Sequence, residues 1–322
     1  GDAATPNRKA IGQEKLREHA AEIENHARKK LKERQEKFKA PATLTSDGWK
    51  NVARTHVIGS QLSVYGEHLA LATEEANEHH DGIETAMQLE RTMNTVISQG
   101  WDLGAVCTDN ASQCRRARGI LGIRWPGVIF TFCFAHAVNN LVKSVFKTTF
   151  TDVAREVAGA VNALHASSAR LLRAVNDRMI NEYGIKLALI SLCETRWNSA
   201  QGCLASLLRV RTALRSFHLH HSHAKAFPRE CEVLGSTCFW TRVEIAEMIV
   251  RPLSEASYIL QRDYSTVADV VRIYSKIYQS FDSYDAFRAT LVPCIEQRWS
   301  VSSPFSYWAL LFTPSTFNTH AI

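Results

Sequence analysis

No window of about eighteen consecutive apolar, uncharged residues occurs in this chain, so no segment reads as a membrane span. The first residues contain no apolar core of a secretory leader, and none is expected. Cysteine is present at eight positions (Cys107, Cys114, Cys133, Cys193, Cys203, Cys231, Cys238 and Cys294) but never as a C-x-x-C pair. In a chain of 322 residues that scatter reads as reduced thiols rather than a disulfide framework, and an intracellular globular protein is the expectation. There is no G-x-x-x-x-G-K-[ST] and no strand-linked G-x-G-x-x-G, which removes support from the common nucleotide-binding enzymes and from a small-molecule cofactor. Strong charge is also missing. The net +6 is mildly basic, which permits a nucleic-acid partner without requiring one.

What is present is ordered by charge and period. Residues 1–39 hold 11 Lys and Arg against 7 Asp and Glu, most of the net positive charge. Leu16, Ala20, Ile23, Ala27 and Leu31 recur at helical spacing there, and Pro41 stops the run. The segment 1–40 is therefore expected to be a basic amphipathic helix. Its basic end, Arg28 to Arg34, reads as a solvated face, with a nuclear-targeting or DNA-backbone segment as the sharper alternative.

Strands are expected at Ala42–Asp47, ending in a turn through Gly48 and Trp49, at His56–Tyr65 and at His68–Thr73, with Gly66 as the break of a hairpin. A helix follows over Asp81–Ser98, with Ile83, Met87, Met93 and Ile97 expected inside and Gly100 as its stop. Leu103–Cys107 and Val128–Cys133 read as two further strands around a helix at 111–122. From 137 to 290 the pattern is helical, in stripes such as Val153, Val157, Val161 and Leu164, or Val267, Val270, Tyr274, Ile277 and Phe281. A bend is expected at Pro252, and His218, His220, His221 and His223 read as a polar loop. Residues 291–322 are expected to turn back toward the strand-rich part.

Two acids stand at strand ends. Asp47 closes the first strand and Asp109 the first strand after the helix. If those strands are neighbours, the carboxylates form a hard-oxygen site suited to Mg²⁺ or Mn²⁺ of the two-metal type, the design of ribonuclease H-like phosphoryl transfer. Each acid also suits a local role: Ser46-Asp47-Gly48 is turn-like, and Asp109 or Asn110 could cap the following helix.

Five blocks carry a resemblance. Thr45-Ser-Asp47-Gly-Trp49, Cys107-Thr-Asp109-Asn-Ala111, Cys133-Phe-Ala-His136, Thr195-Arg196-Trp197-Asn-Ser199 and the stretch from Arg251-Pro252 to Gln261 stand in the order of a hAT-superfamily transposase, which this chain resembles over about 45–281. The resemblance implies an α/β fold with a ribonuclease H-like mixed sheet at 41–136, interrupted by a large all-α insertion at 137–290. It implies that Asp47 and Asp109 are the first two metal-binding acids of a catalytic triad, and that Cys133 and His136 lie near the site. Arg196 and Trp197 would lie near a cleaved DNA end, where Trp197 could stack on an extruded base; an ordinary core tryptophan is the alternative. DNA is the implied partner, with self-association as a further one, and the nucleus the implied location.

The chain also departs from that pattern. The family's third acid, a Glu in a C-terminal block, has no counterpart here, and no N-terminal pairing of cysteines and histidines suggests a zinc finger. The expectation is a transposase-derived protein that binds DNA and is impaired in metal-dependent strand cleavage. The competing expectation is a non-catalytic nucleic-acid-binding or protein-interaction module on the same fold.

Overall fold

The structure is a computed structural model and describes residues 12, 14–71, 73–75, 81–193 and 198–300. These form two compact units. The first takes in the described residues up to Cys133 together with Arg262–Ser265, and the second takes in Phe134–Gln261 and the described residues from Thr266 on. The division falls at Cys133/Phe134, three residues before the expected boundary.

The first unit is α/β with a mixed sheet. Helix α1 (Glu14–Phe38) leads into β1 (Ala42–Lys50), β2 (His56–Val64), β3 (Glu67–Ala70) and the short β4 (Glu74–Glu75). Helix α2 (Gly82–Ser98), β5 (Leu103–Thr108), α3 (Ser112–Arg124) and β6 (Ile129–Phe132) follow. The strand order is β3-β2-β1-β5-β6, with β4 also on β2. The β1–β2, β2–β3 and β2–β4 pairings are antiparallel, and β1–β5 and β5–β6 are parallel. The antiparallel strands alternate: Ala42, Leu44 and Ser46 face inward on β1 while Thr43 and Thr45 do not.

Helix α2 begins where Asp81 accepts hydrogen bonds from the Ile83 and Glu84 amides at 2.8 and 2.9 Å. It ends before Gly100, whose φ of +78° suits a residue without Cβ. Its buried stripe is Ala86, Leu89, Met93 and Val96. Ile83, Met87 and Ile97, expected inside, are exposed. Of the expected stripe Met93 alone lies inside, and Ala86 and Val96 take the places expected for Met87 and Ile97.

Helix α1 belongs to this unit. Leu31 is fully buried in the same core as Leu44, Leu62, Met93, Val106 and Leu121. Its basic end is largely spent on the chain itself. Lys30 and Arg34 pair with Glu67 at 2.9 Å each, Arg28 binds Glu24 and Gln99, and Lys32 binds the Gly100 carbonyl and lies over Trp101. Four of the five cations from Arg28 to Arg34 are engaged in this way.

Helices and the loops between them make up the described residues of the second unit. It contains α4 (Phe134–Thr148), α5 (Thr151–His165), α6 (Ala169–Tyr183), α7 (Ser199–Arg209), α8 (Arg211–His221), a 3-10 turn at Arg229–Gly235, α9 (Thr237–Leu260), α10 (Val267–Asp282) and α11 (Arg288–Ser300). Val153, Val157, Val161 and Leu164 are buried, as are Val270, Tyr274, Ile277 and Phe281. Val267 is exposed, because it opens α10 directly after the cap residue Thr266, inside the capping box that Thr266 forms with Asp269. Pro252 lies inside α9. His218, His220 and His221 are not in a loop but in the last turns of α8. Residues 291–300 form the body of α11, and Leu291, Cys294 and Ile295 are buried in the helical core. Residues 301–322, the rest of that expected return, lie outside the described residues.

Candidate metal and nucleic-acid site

The site is built by the parallel pairing of the two central strands. Ser46 of β1 and Thr108 of β5 are partners. Asp47 and Asp109 are the next residues on the two strands, and strand spacing sets the backbones of Ser46 and Thr108 about 5 Å apart. The acids, separated by 62 positions in the chain, thus each follow the last shared pair of adjacent parallel strands: Asp109 lies just past the end of β5, while Asp47 does not close β1 as expected, because its ladder with β2 carries β1 on to Lys50. Such strand ends are where open α/β sheets place their chemistry.

Each carboxylate has a local anchor. Asp47 is exposed, and its Oδ1 accepts from the Gly48 amide at 3.0 Å. Asp109 is half-buried, and its Oδ1 accepts from the Ala111 amide at 3.0 Å. Asp109 is not the helix cap: that position is Ala111, which makes no side-chain cap bond. Asp109 instead turns the chain from β5 into α3.

Behind this turn lies a buried guanidinium. Arg118 of α3 is 9% exposed. Its Nη1 donates to the Thr108 hydroxyl and to the Asp109 carbonyl, both at 2.5 Å, and its Nη2 donates to Asn110 Oδ1 at 2.7 Å. One planar fork therefore holds three consecutive residues at the end of β5. The Phe132 ring lies 5.9 Å from the guanidinium carbon. Burial lowers the Arg118 pKa from its ordinary value, but an arginine begins so high that it stays charged.

Thiols line the same region. Burial pushes the Cys107 thiol up to about 12, with neighbouring Cys133 acting in the same direction and Arg118 against it. Burial also raises Cys114 to about 12, aided by its hydrogen bond to Asp109. Both are neutral at physiological pH, so neither is a nucleophile, and Cys114 acts as a weak donor toward the Asp109 carboxylate. The Cys133 amide donates to the Thr108 carbonyl at 2.7 Å, which ties the end of β6 to the end of β5. His136 lies in α4, in the other unit. Arg196 and Trp197 lie outside the described residues.

The donor set fits a hard cation in part. Two neighbouring carboxylates are what Mg²⁺ commonly takes from a protein, the rest of its shell being water and phosphate oxygen. Among the described residues no group of three His, Cys, Asp or Glu side chains is arranged to hold a metal ion. The histidines of α8 do not converge. His218 meets Glu232 at 3.3 Å, His220 meets the Ser216 carbonyl, and His221 packs on Phe217.

Arg118 and Cys114 escaped the sequence reading. Their signal was the spacing Cys114, Ala117, Arg118 and Leu121, an inward stripe on α3 with one cation in it. No family model and no curated protein matches the chain.

Proposed function

We propose that this chain is a transposase-derived, DNA-binding protein of the hAT class, with a ribonuclease H-like sheet whose Asp47 and Asp109 form the metal-binding half of an ancestral strand-cleavage site. The observation that carries the reading is the parallel pairing of β1 with β5, whose last shared pair, Ser46 and Thr108, is followed on each strand by an acid, Asp47 and Asp109. The strand order β3-β2-β1-β5-β6, antiparallel on one side and parallel on the other, supports it.

Asp47 and Asp109 would hold Mg²⁺ or Mn²⁺, which when bound neutralises charge on a substrate phosphate. The chain's own work is positioning. Arg118 fixes the backbone of residues 108–110, and the Ala111 amide and Cys114 thiol orient the Asp109 carboxylate. With two carboxylates and no third described acid grouped with them, cleavage is expected to be very weak, while binding to DNA backbone needs no metal geometry. That same observation favours the second reading, a non-catalytic nucleic-acid-binding module on this fold. The internal use of Arg28, Lys30, Lys32 and Arg34 shifts the expected DNA contacts away from the basic end of α1. A nuclear location and self-association accompany the proposal.

Three measurements on the full chain test it: Mn²⁺ binding by electron paramagnetic resonance, salt-titrated DNA binding, and strand cleavage with Mg²⁺ or Mn²⁺. Mn²⁺ binding should be lost in Asp47→Asn and in Asp109→Asn, and DNA affinity should fall as salt rises. Wild-type-like Mn²⁺ binding by both variants would refute the site. Robust cleavage abolished by Asp109→Ala would show that a third acid completes it.

A further inference from the structure

Trp49 is the exposed tryptophan among those described. Its relative exposure is 46%, against 3% for Trp101 and 1% for Trp240. Three observations fix where its ring lies. Residues 47 and 49 share one face of β1, because side chains alternate along a strand. Asp47 is paired with Gly59 across the β1–β2 ladder. A Cβ at Gly59 would stand 2.7 and 2.8 Å from indole carbons Cη2 and Cζ3 of Trp49, far inside contact distance. The indole therefore leans back along the strand and occupies the space that a side chain at Gly59 would fill. Its benzo edge lies one cross-strand step, about 5 Å, from the backbone of Asp47. Gly59 is the residue that allows this approach, since any larger side chain there displaces the ring.

From this we propose that Trp49 is a stacking platform for an unpaired nucleobase beside the acid pair. The inference rests on the nucleic-acid reading of the Asp47–Asp109 site and names what that site recognises. A nucleotide whose phosphate is held at the strand ends presents its base to a flat, solvent-open ring one strand away. Every base has a π-face, so the platform contributes affinity without choosing sequence. The ring contacts no phosphate, so it leaves the salt dependence of binding unchanged.

The test compares the full chain with Trp49→Ala, Trp49→Phe and Gly59→Val on two fluorescent single strands of equal length, one oligothymidine and one fully abasic. Wild type should prefer the base-containing strand. Trp49→Ala should weaken that binding about tenfold, with abasic binding and the salt slope unaltered. Trp49→Phe should keep most of the affinity. Gly59→Val should reproduce the loss with the tryptophan still present, and far-UV circular dichroism should match wild type. Equal losses on both strands, no preference by wild type, or no binding by wild type at low salt each overturn the platform. Mn²⁺ binding is read separately. If it fails while the Trp49-dependent preference for bases persists, the metal reading falls and the platform stands.

Discussion

Replacing Arg118 with Met tests whether the end of β5 is held by the guanidinium or merely neighbours it. The change keeps the apolar stem and removes three hydrogen bonds, to Thr108 Oγ1, the Asp109 carbonyl and Asn110 Oδ1. Hydrogen bonds to a charged group contribute about 1.5–3 kcal/mol each, so the gross loss is about 4–9 kcal/mol. Against this, the variant no longer has to bury a guanidinium, a cost of several kcal/mol, and the acceptors on Asp109 and Asn110, unlike buried Thr108, are only partly buried and can recover water. The expected net loss is about 3 kcal/mol. It should appear as a lower urea midpoint for the transition that unfolds the sheet, with an unchanged slope. Arg118→Lys retains the charge but not the fork and should recover less than half of the loss. Both variants should weaken Mn²⁺ binding, because the Asp109 backbone is no longer fixed. A change under about 1 kcal/mol in Arg118→Met, or full recovery by Lys, would refute the argument that a planar fork organises this turn.

Other outcomes follow from features already described. Leu31→Ala should cost about 3 kcal/mol, as a fully buried leucine in the sheet's core, and should expose α1 to trypsin; unchanged proteolysis would show that α1 does not depend on this anchor. Asp81→Ala should cost about 1 kcal/mol by removing the acceptor for the Ile83 and Glu84 amides, measured by urea unfolding. Alkaline pH should destabilise the protein. Burial raises Cys107, Cys114 and Cys231 from 9.0 to about 12 and Cys203 to about 11, so the folded state holds these protons more tightly than the unfolded state. Their contribution is complete below the unfolded value near pH 9 and is lost as pH rises toward 12. Melting temperature against pH should decline over that window and decline less steeply in Cys203→Ala and Cys231→Ala; parallel slopes in wild type and variants would refute the assignment.

The antiparallel strands were legible because one face of each is wet: Thr43 and Thr45 against Leu44 and Ser46 write the alternation into the chain. The helical unit was legible because its stripes are long and apolar. β4 was not, since its two residues are exposed glutamates with no pattern to read. The inward face of α2 was misjudged because Ile83 and Met87 outweigh Ala86 in any hydrophobic count, while tertiary packing turns Ala86 inward. At the candidate site, the acids were read from strand ends and from the family blocks; Asp109 does follow β5 directly, while β1 runs three residues past Asp47 because the ladder with β2 continues to Lys50. Their support was missed because an arginine is ordinarily placed outside a helix, and Arg118 is buried only because three acceptors wait for it at the end of β5. The histidines of α8 were assigned to a loop because their polarity masks a helix that continues through them.

The mixed pairing of the sheet has a consequence in time. β1 and β2 are joined by five residues, Asn51–Thr55, and their ladder can form locally. The partner of Ser46 on the other side, Thr108, is 62 residues away, and closing that loop costs about 2 kcal/mol more in chain entropy before any contact compensates it. Parallel pairing across such a separation belongs to the slow part of folding. The hairpin should therefore gain amide protection first, and β5 should dock later. Until it does, the chain carries both acids but not on neighbouring strands.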